Sequence, residues 1–125
     1  MKKVVQTDKA PKAIGPYSQG IVAGDFLFVS GQAPIDPTTM KLVEGGVEAE
    51  AVQVMKNLKN ILAASGLDFS NVVKTTVFLT DMNNFALVND IYRSYFDNEP
   101  PARSCVAVVA LPMGALVEIE VIAQR

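Results

Sequence analysis

The C-terminal run from Leu116 to Ala123 constrains this chain most, because a strand built from it is apolar on both faces. Side chains alternate across a strand, so Val117, Ile119, Val121 and Ala123 share one face while Leu116, Glu118, Glu120 and Ile122 share the other. Both glutamates therefore point away from the first face. Val72 to Leu79 behaves in the same way, with Val73, Val77 and Leu79 on one parity and Val72 and Phe78 on the other, which predicts a central strand. A sheet that is apolar on both sides must be covered on both sides. Two helices are available, enough for one side of a sheet this size, so a second copy of the chain is the simplest cover for the other.

The first helix is predicted over Val47 to Ser65, where Ala51, Val54, Met55, Leu58, Ile61 and Leu62 form one stripe and Glu48, Gln53, Lys56, Lys59 and Asn60 occupy the rest. Gly66 stops it. Asp81 is placed to cap a second helix in which Phe85, Val88, Ile91, Tyr92 and Tyr95 recur at helical spacing, up to the break at Pro100. Phe26 to Ser30 reads as a short buried strand that follows the Gly24-Asp25 turn and ends at Gly31. Pro34 to Gly46 reads as a loop. The expected order is strand, helix, strand, helix, strand, strand, in one domain spanning residues 1–125, with no repeat or composition break to divide it.

Composition removes several function classes. Cys105 is the single cysteine and histidine is absent, so neither an internal disulfide nor the usual zinc sets can form, and no metal is expected. A formal charge of −2 with scattered Lys and Arg leaves no basic stripe, and nucleic acid is not an expected partner. No apolar run is long enough to cross a bilayer, and the N-terminal residues lack a signal-peptide core. A cytoplasmic protein with no membrane partner is the expectation.

The residues that carry chemistry cluster late in the chain. Arg103 stands between the turn Pro100-Pro101 and an apolar run extending to Leu111, which reads as a two-sided buried strand with a cation at its mouth. A guanidinium fork matches a carboxylate with two parallel hydrogen bonds, which points to a small organic acid; an internal salt bridge to Glu118 or Glu120 is the alternative. Glu118 has two opposed influences, burial raising its pKa and Arg103 lowering it. Cys105 lacks a histidine to ionise it and has apolar neighbours, which favours a packing thiol over a nucleophile. Tyr17 is either a loop residue of a site or an aromatic plug, and Ser30-Gly31-Gln32 lacks the glycine spacing of a nucleophile elbow or phosphate loop.

Five segments taken together, Gly15-Pro16-Tyr17-Ser18-Gln19-Gly20, Val29-Ser30-Gly31-Gln32, Lys74-Thr75-Thr76-Val77-Phe78, Pro101-Ala102-Arg103-Ser104-Cys105-Val106 and Val117-Glu118-Ile119-Glu120, make the chain resemble the RidA (YjgF/YER057c/UK114) family over nearly its whole length. The resemblance implies a chorismate-mutase-like α+β fold, a mixed and mostly antiparallel sheet with two helices on one face, assembled as a homotrimer with a ligand cleft between neighbouring subunits. It also implies a deaminase of 2-iminobutanoate and 2-iminopropanoate, reactive products of pyridoxal-phosphate dehydratases, needing no cofactor. By the same resemblance Arg103 grips the substrate carboxylate, Glu118 holds the attacking water, and Gly31 with the Cys105 backbone meets the imine or keto end. Tyr17, Asn89 and Ser30 complete the cleft, whereas Phe85 and Tyr92 are read as core. Met40 departs from the pattern, standing in a turn where relatives frequently have glycine, and Ala107 and Val109 make the expected interface more apolar than usual.

Two other readings belong beside this one. A non-catalytic trimer that senses keto acids or amino-acid derivatives would use Arg103 equally well. An endoribonuclease or translation inhibitor, an activity also attributed to the family, has little support from a chain with no histidine, basic groove or stacking platform.

Overall fold

The stripe expected between Val47 and Ser65 forms helix α1 (Gly46–Ala64), and its six apolar residues, Ala51, Val54, Met55, Leu58, Ile61 and Leu62, are all buried. Each large one contributes roughly 1.5–3 kcal/mol by leaving water. This is a computed structural model of residues 1–125. Around α1 the chain runs β1 (Lys3–Val5), β2 (Gly20–Ala23), β3 (Phe26–Gln32), β4 (Ile35–Asp36), β5 (Lys41–Leu42), α1, β6 (Val72–Leu79), α2 (Phe85–Arg93), β7 (Ala102–Ala107) and β8 (Val117–Gln124).

Six strands form one sheet in the order β1-β2-β3-β8-β6-β7, with β6 and β7 parallel and every other neighbouring pair antiparallel. The alternation in β8 holds residue for residue: Val117, Ile119, Val121 and Ala123 are buried beneath the helices, and Glu118 and Ile122 are half-buried on the far side. β6 is central, between β8 and β7. Both helices lie on one face of the sheet, as expected. The far face shows Phe26, Phe28 and Val106 to solvent, a row of large apolar side chains that the chain itself does not cover.

Four differences from the expected elements have local causes. β1 and β2 are only three and four residues long, too short to show a period. The loop from Pro34 to Gly46 contains a small hairpin, β4 with β5, closed by the Met40 N–H donating to the Asp36 carbonyl. Asp81 caps a single 3-10 turn, Met82–Asn84, that leads into α2, and α2 ends at Arg93 so that Tyr95 lies beyond it. The strand after Arg103 stops at Ala107 and is not buried on two sides: β7 is an edge strand with one neighbour, and most of its residues are exposed.

Candidate functional site

Glu118 and Gly31 meet across a β-bulge. β3 and β8 pair regularly through Val29 and Val121 and again through Gln32 and Ile119, so Ser30 and Gly31 together oppose the single residue Glu120. The extra residue bends β3 and brings the Gly31 backbone against the Glu118 side chain. A Cβ at Gly31 would stand 2.6 Å from Glu118 Oε2 and 2.9 Å from its Cδ. Gly31 does not have a positive φ, so glycine is required here for space and not for backbone conformation.

The Glu118 carboxylate faces a cavity of about 290 Å³ bordered by Tyr17, Gly31, Met40 and Met113. Burial raises its pKa above the usual carboxylate range, and the like charge of Glu120 raises it further. Tyr17 stands in an exposed loop with its hydroxyl accepting a 3.3 Å hydrogen bond from the Ile14 N–H. That loop is held by the buried Gln19, whose Nε2 donates to the carbonyls of Thr7, Ala10 and Pro11 and whose Oε1 accepts from the Thr7 N–H. Ser30 donates its hydroxyl to the Ser18 carbonyl at 2.6 Å, which ties the same loop to β3.

Arg103 belongs to a second cluster. Its Nη1 donates to Asn89 Oδ1 on α2 at 2.7 Å, and its guanidinium carbon lies 4.9 Å from the Tyr92 ring centroid and 5.5 Å from that of Phe85. Tyr92 is fixed in turn by a 2.7 Å hydrogen bond between its hydroxyl and that of the buried Thr75 on β6. Of the five donors on the guanidinium, one is used by Asn89, and the rest are available to an anion. Cys105, two residues along β7, is half-buried; burial pushes its thiol pKa up against the pull of Arg103.

The strand register separates these two clusters. Arg103 pairs with Thr75 and Thr75 with Val121, which places Arg103 on the helix side of the sheet. Glu118 pairs with Phe78, and Phe78 with Val106, on the far side. One subunit therefore brings Tyr17, Gly31 and Glu118 together, and separately Asn89, Arg103 and Cys105, on opposite faces. The alternative of an internal salt bridge from Arg103 to Glu118 or Glu120 fails for the same reason; the one ion pair in the chain is Arg93 with Asp90. Phe85 and Tyr92, expected as core, also form the aromatic floor beneath Arg103. Thr75 and Gln19 stand in the sequence only as members of the quoted motifs, with no role of their own, although a threonine in an otherwise apolar strand and a glutamine closing a Gly-Pro turn are the signals that mark them.

The chain is a two-helix α+β fold with a carboxylate at a strand bulge on one face of its sheet and an arginine seated on aromatic rings on the other. The chain belongs to the family described as Endoribonuclease L-PSP, whose pattern matches residues 7–125, the RidA family that its motifs resemble. It is 54% identical over 123 residues to the 2-iminobutanoate/2-iminopropanoate deaminase of Mus musculus, covering 98% of this chain and 91% of that one. Among solved structures it matches the conserved Rid-family protein YyfA of Yersinia pestis at 52% identity and a TM-score of 0.97, each chain being covered completely. TdcF of E. coli, solved with bound serine, matches at 43% identity and a TM-score of 0.93 over 98% of both chains.

Proposed function

We propose that this protein hydrolyses short 2-imino acids, 2-iminobutanoate and 2-iminopropanoate, to the 2-keto acid and ammonia, at clefts formed between the subunits of a homotrimer. The observation that carries the reading is the opposition of Arg103 and Glu118 across one sheet. In this reading a neighbouring subunit supplies the other half, and the uncovered row of Phe26, Phe28 and Val106 supports it as a surface for that neighbour. The deaminase identity of close relatives and the serine bound by TdcF support a small amino-acid-like ligand.

The chemistry asks little of the protein. An iminium carbon is already electrophilic, so orientation and proton transfer are the main tasks. Arg103 binds the substrate carboxylate with its free donors, held in place by Asn89 and by the rings of Tyr92 and Phe85. Glu118, a stronger base than an ordinary carboxylate because it is half-buried, takes a proton from water as the oxygen bonds to the imine carbon. The π electron pair of the C=N bond moves to nitrogen. Glu118 then returns the proton to that nitrogen, the C–N bond breaks, ammonia leaves, and the remaining hydroxyl proton is lost as the ketone forms. Gly31, Tyr17, Ser30 and the Cys105 backbone border the reacting end in this reading.

The test generates 2-iminobutanoate with a threonine dehydratase in the presence of semicarbazide. Added protein should suppress semicarbazone formation, and Arg103→Ala should abolish the suppression while remaining trimeric. A trimer that binds 2-keto acids without suppressing trapping would establish the sensor reading instead.

A further inference from the structure

Two residues other than glycine have a left-handed backbone, Met40 at φ 59° and Met113 at φ 60°. They are 73 positions apart in the chain, and both border the cavity that holds Glu118. An L-residue in this region is disfavoured because its Cβ crowds the following carbonyl oxygen, and glycine would remove the penalty at either position. Left-handed methionines thus reach one cavity from separate loops, and strained positions of this kind cluster at functional sites. With Ile14, Ile35 and Pro112 they form the apolar side of the cavity, Ile14 and Met113 largely exposed at its rim, while Lys12, Gln19 and Gln32 make the rest polar.

We propose that Met40 and Met113 are specificity-determining residues, forming a side-chain subsite that selects 2-imino acids with extended, unbranched apolar side chains. This rests on the reading that Glu118 marks the reacting end. The cavity, about 290 Å³, lies at the small end of the range for small-molecule pockets and leaves room for a short side chain beside the reacting carbon. The substrate carboxylate goes to Arg103 outside this cavity, so the space beside Glu118 is free for the side chain, about three non-hydrogen atoms longer in the imine of methionine or norleucine than in 2-iminopropanoate. Methionine is suited to such a wall because its unbranched thioether arm adapts to a flexible chain without fixing one shape. A branched substrate gains less, since two flexible arms leave no rigid slot at the β-carbon.

The test compares kcat/KM for imines generated by an amino-acid oxidase from alanine, valine and methionine, in wild type and in Met40→Gly/Met113→Asn. Both replacements tolerate a left-handed backbone, so the variant should fold, which melting and size measurements check. Wild type should favour the methionine-derived imine over the valine-derived one, and the methionine-to-alanine ratio should fall about tenfold in the variant. A ratio unchanged within about twofold, in a folded variant, overturns the subsite. Wild type that turns over the alanine-derived imine but not the methionine-derived one overturns it too, leaving imine hydrolysis intact. Wild type that turns over none of the three overturns the imine reading on which the subsite depends.

Discussion

Replacing Gly31 with alanine separates the stability of the fold from the placement of its carboxylate. The new Cβ would lie 2.6 Å from Glu118 Oε2, and an ordinary contact of about 3.4 Å requires the carboxylate to retreat by about 0.8 Å. Glu118 can make that movement because its side chain ends in a cavity, so the core beneath it need not shift. The backbone at Gly31 does not have a positive φ, so alanine costs nothing in conformation and reduces the entropy of the unfolded chain, an effect of about 0.4–1 kcal/mol. Stability should therefore hold within about 1 kcal/mol. Turnover depends on where the base stands, and a displacement near 1 Å costs about 10²-fold. Semicarbazide trapping of 2-iminobutanoate gives the rate, and chemical denaturation gives the stability. Gly31→Ala that keeps turnover within about twofold of wild type would refute the placement of Glu118 as the base.

Two further perturbations test the separate halves. Thr75→Val should leave the buried Tyr92 hydroxyl without its partner, costing about 1–3 kcal/mol in denaturant unfolding and raising KM as the floor under Arg103 loosens. For the carboxylate half, the negative charge of Glu120 disfavours ionisation of Glu118, so Glu120→Gln should lower the Glu118 pKa. The acid limb of the kcat/KM profile should then move to lower pH, because the base stays ionised further into acid; an unmoved limb would argue that Glu118 does not set it.

How much of this was legible in the sequence depends on the range over which each feature is determined. The stripe on α1 and the alternation of β8 are local, so the helix and the outward direction of Glu118 could be read directly. The contact between Gly31 and Glu118 depends on where β3 slips by one residue against β8, a pairing between segments nearly ninety positions apart that no local pattern encodes. The expectation of a buried strand after Arg103 failed because apolar character records burial in whatever assembly the chain adopts, whereas β7 lies at the edge of a single subunit. The same two-sided apolar pattern that misleads about β7 in one chain is what burial against a second copy would produce. Tyr92 was read as core because its spacing on α2 reports burial, which is correct, and says nothing of the arginine that lies over its ring.

Division of one reacting centre between two subunits is tested directly by subunit mixing. Arg103→Ala and Glu118→Gln should each be inactive alone. Co-expressed in equal amounts and purified as mixed trimers, they should regain imine hydrolysis in about a third of the clefts, where an intact Arg103 from one subunit meets an intact Glu118 from the next. Mixed trimers as inactive as either parent would contradict a shared site.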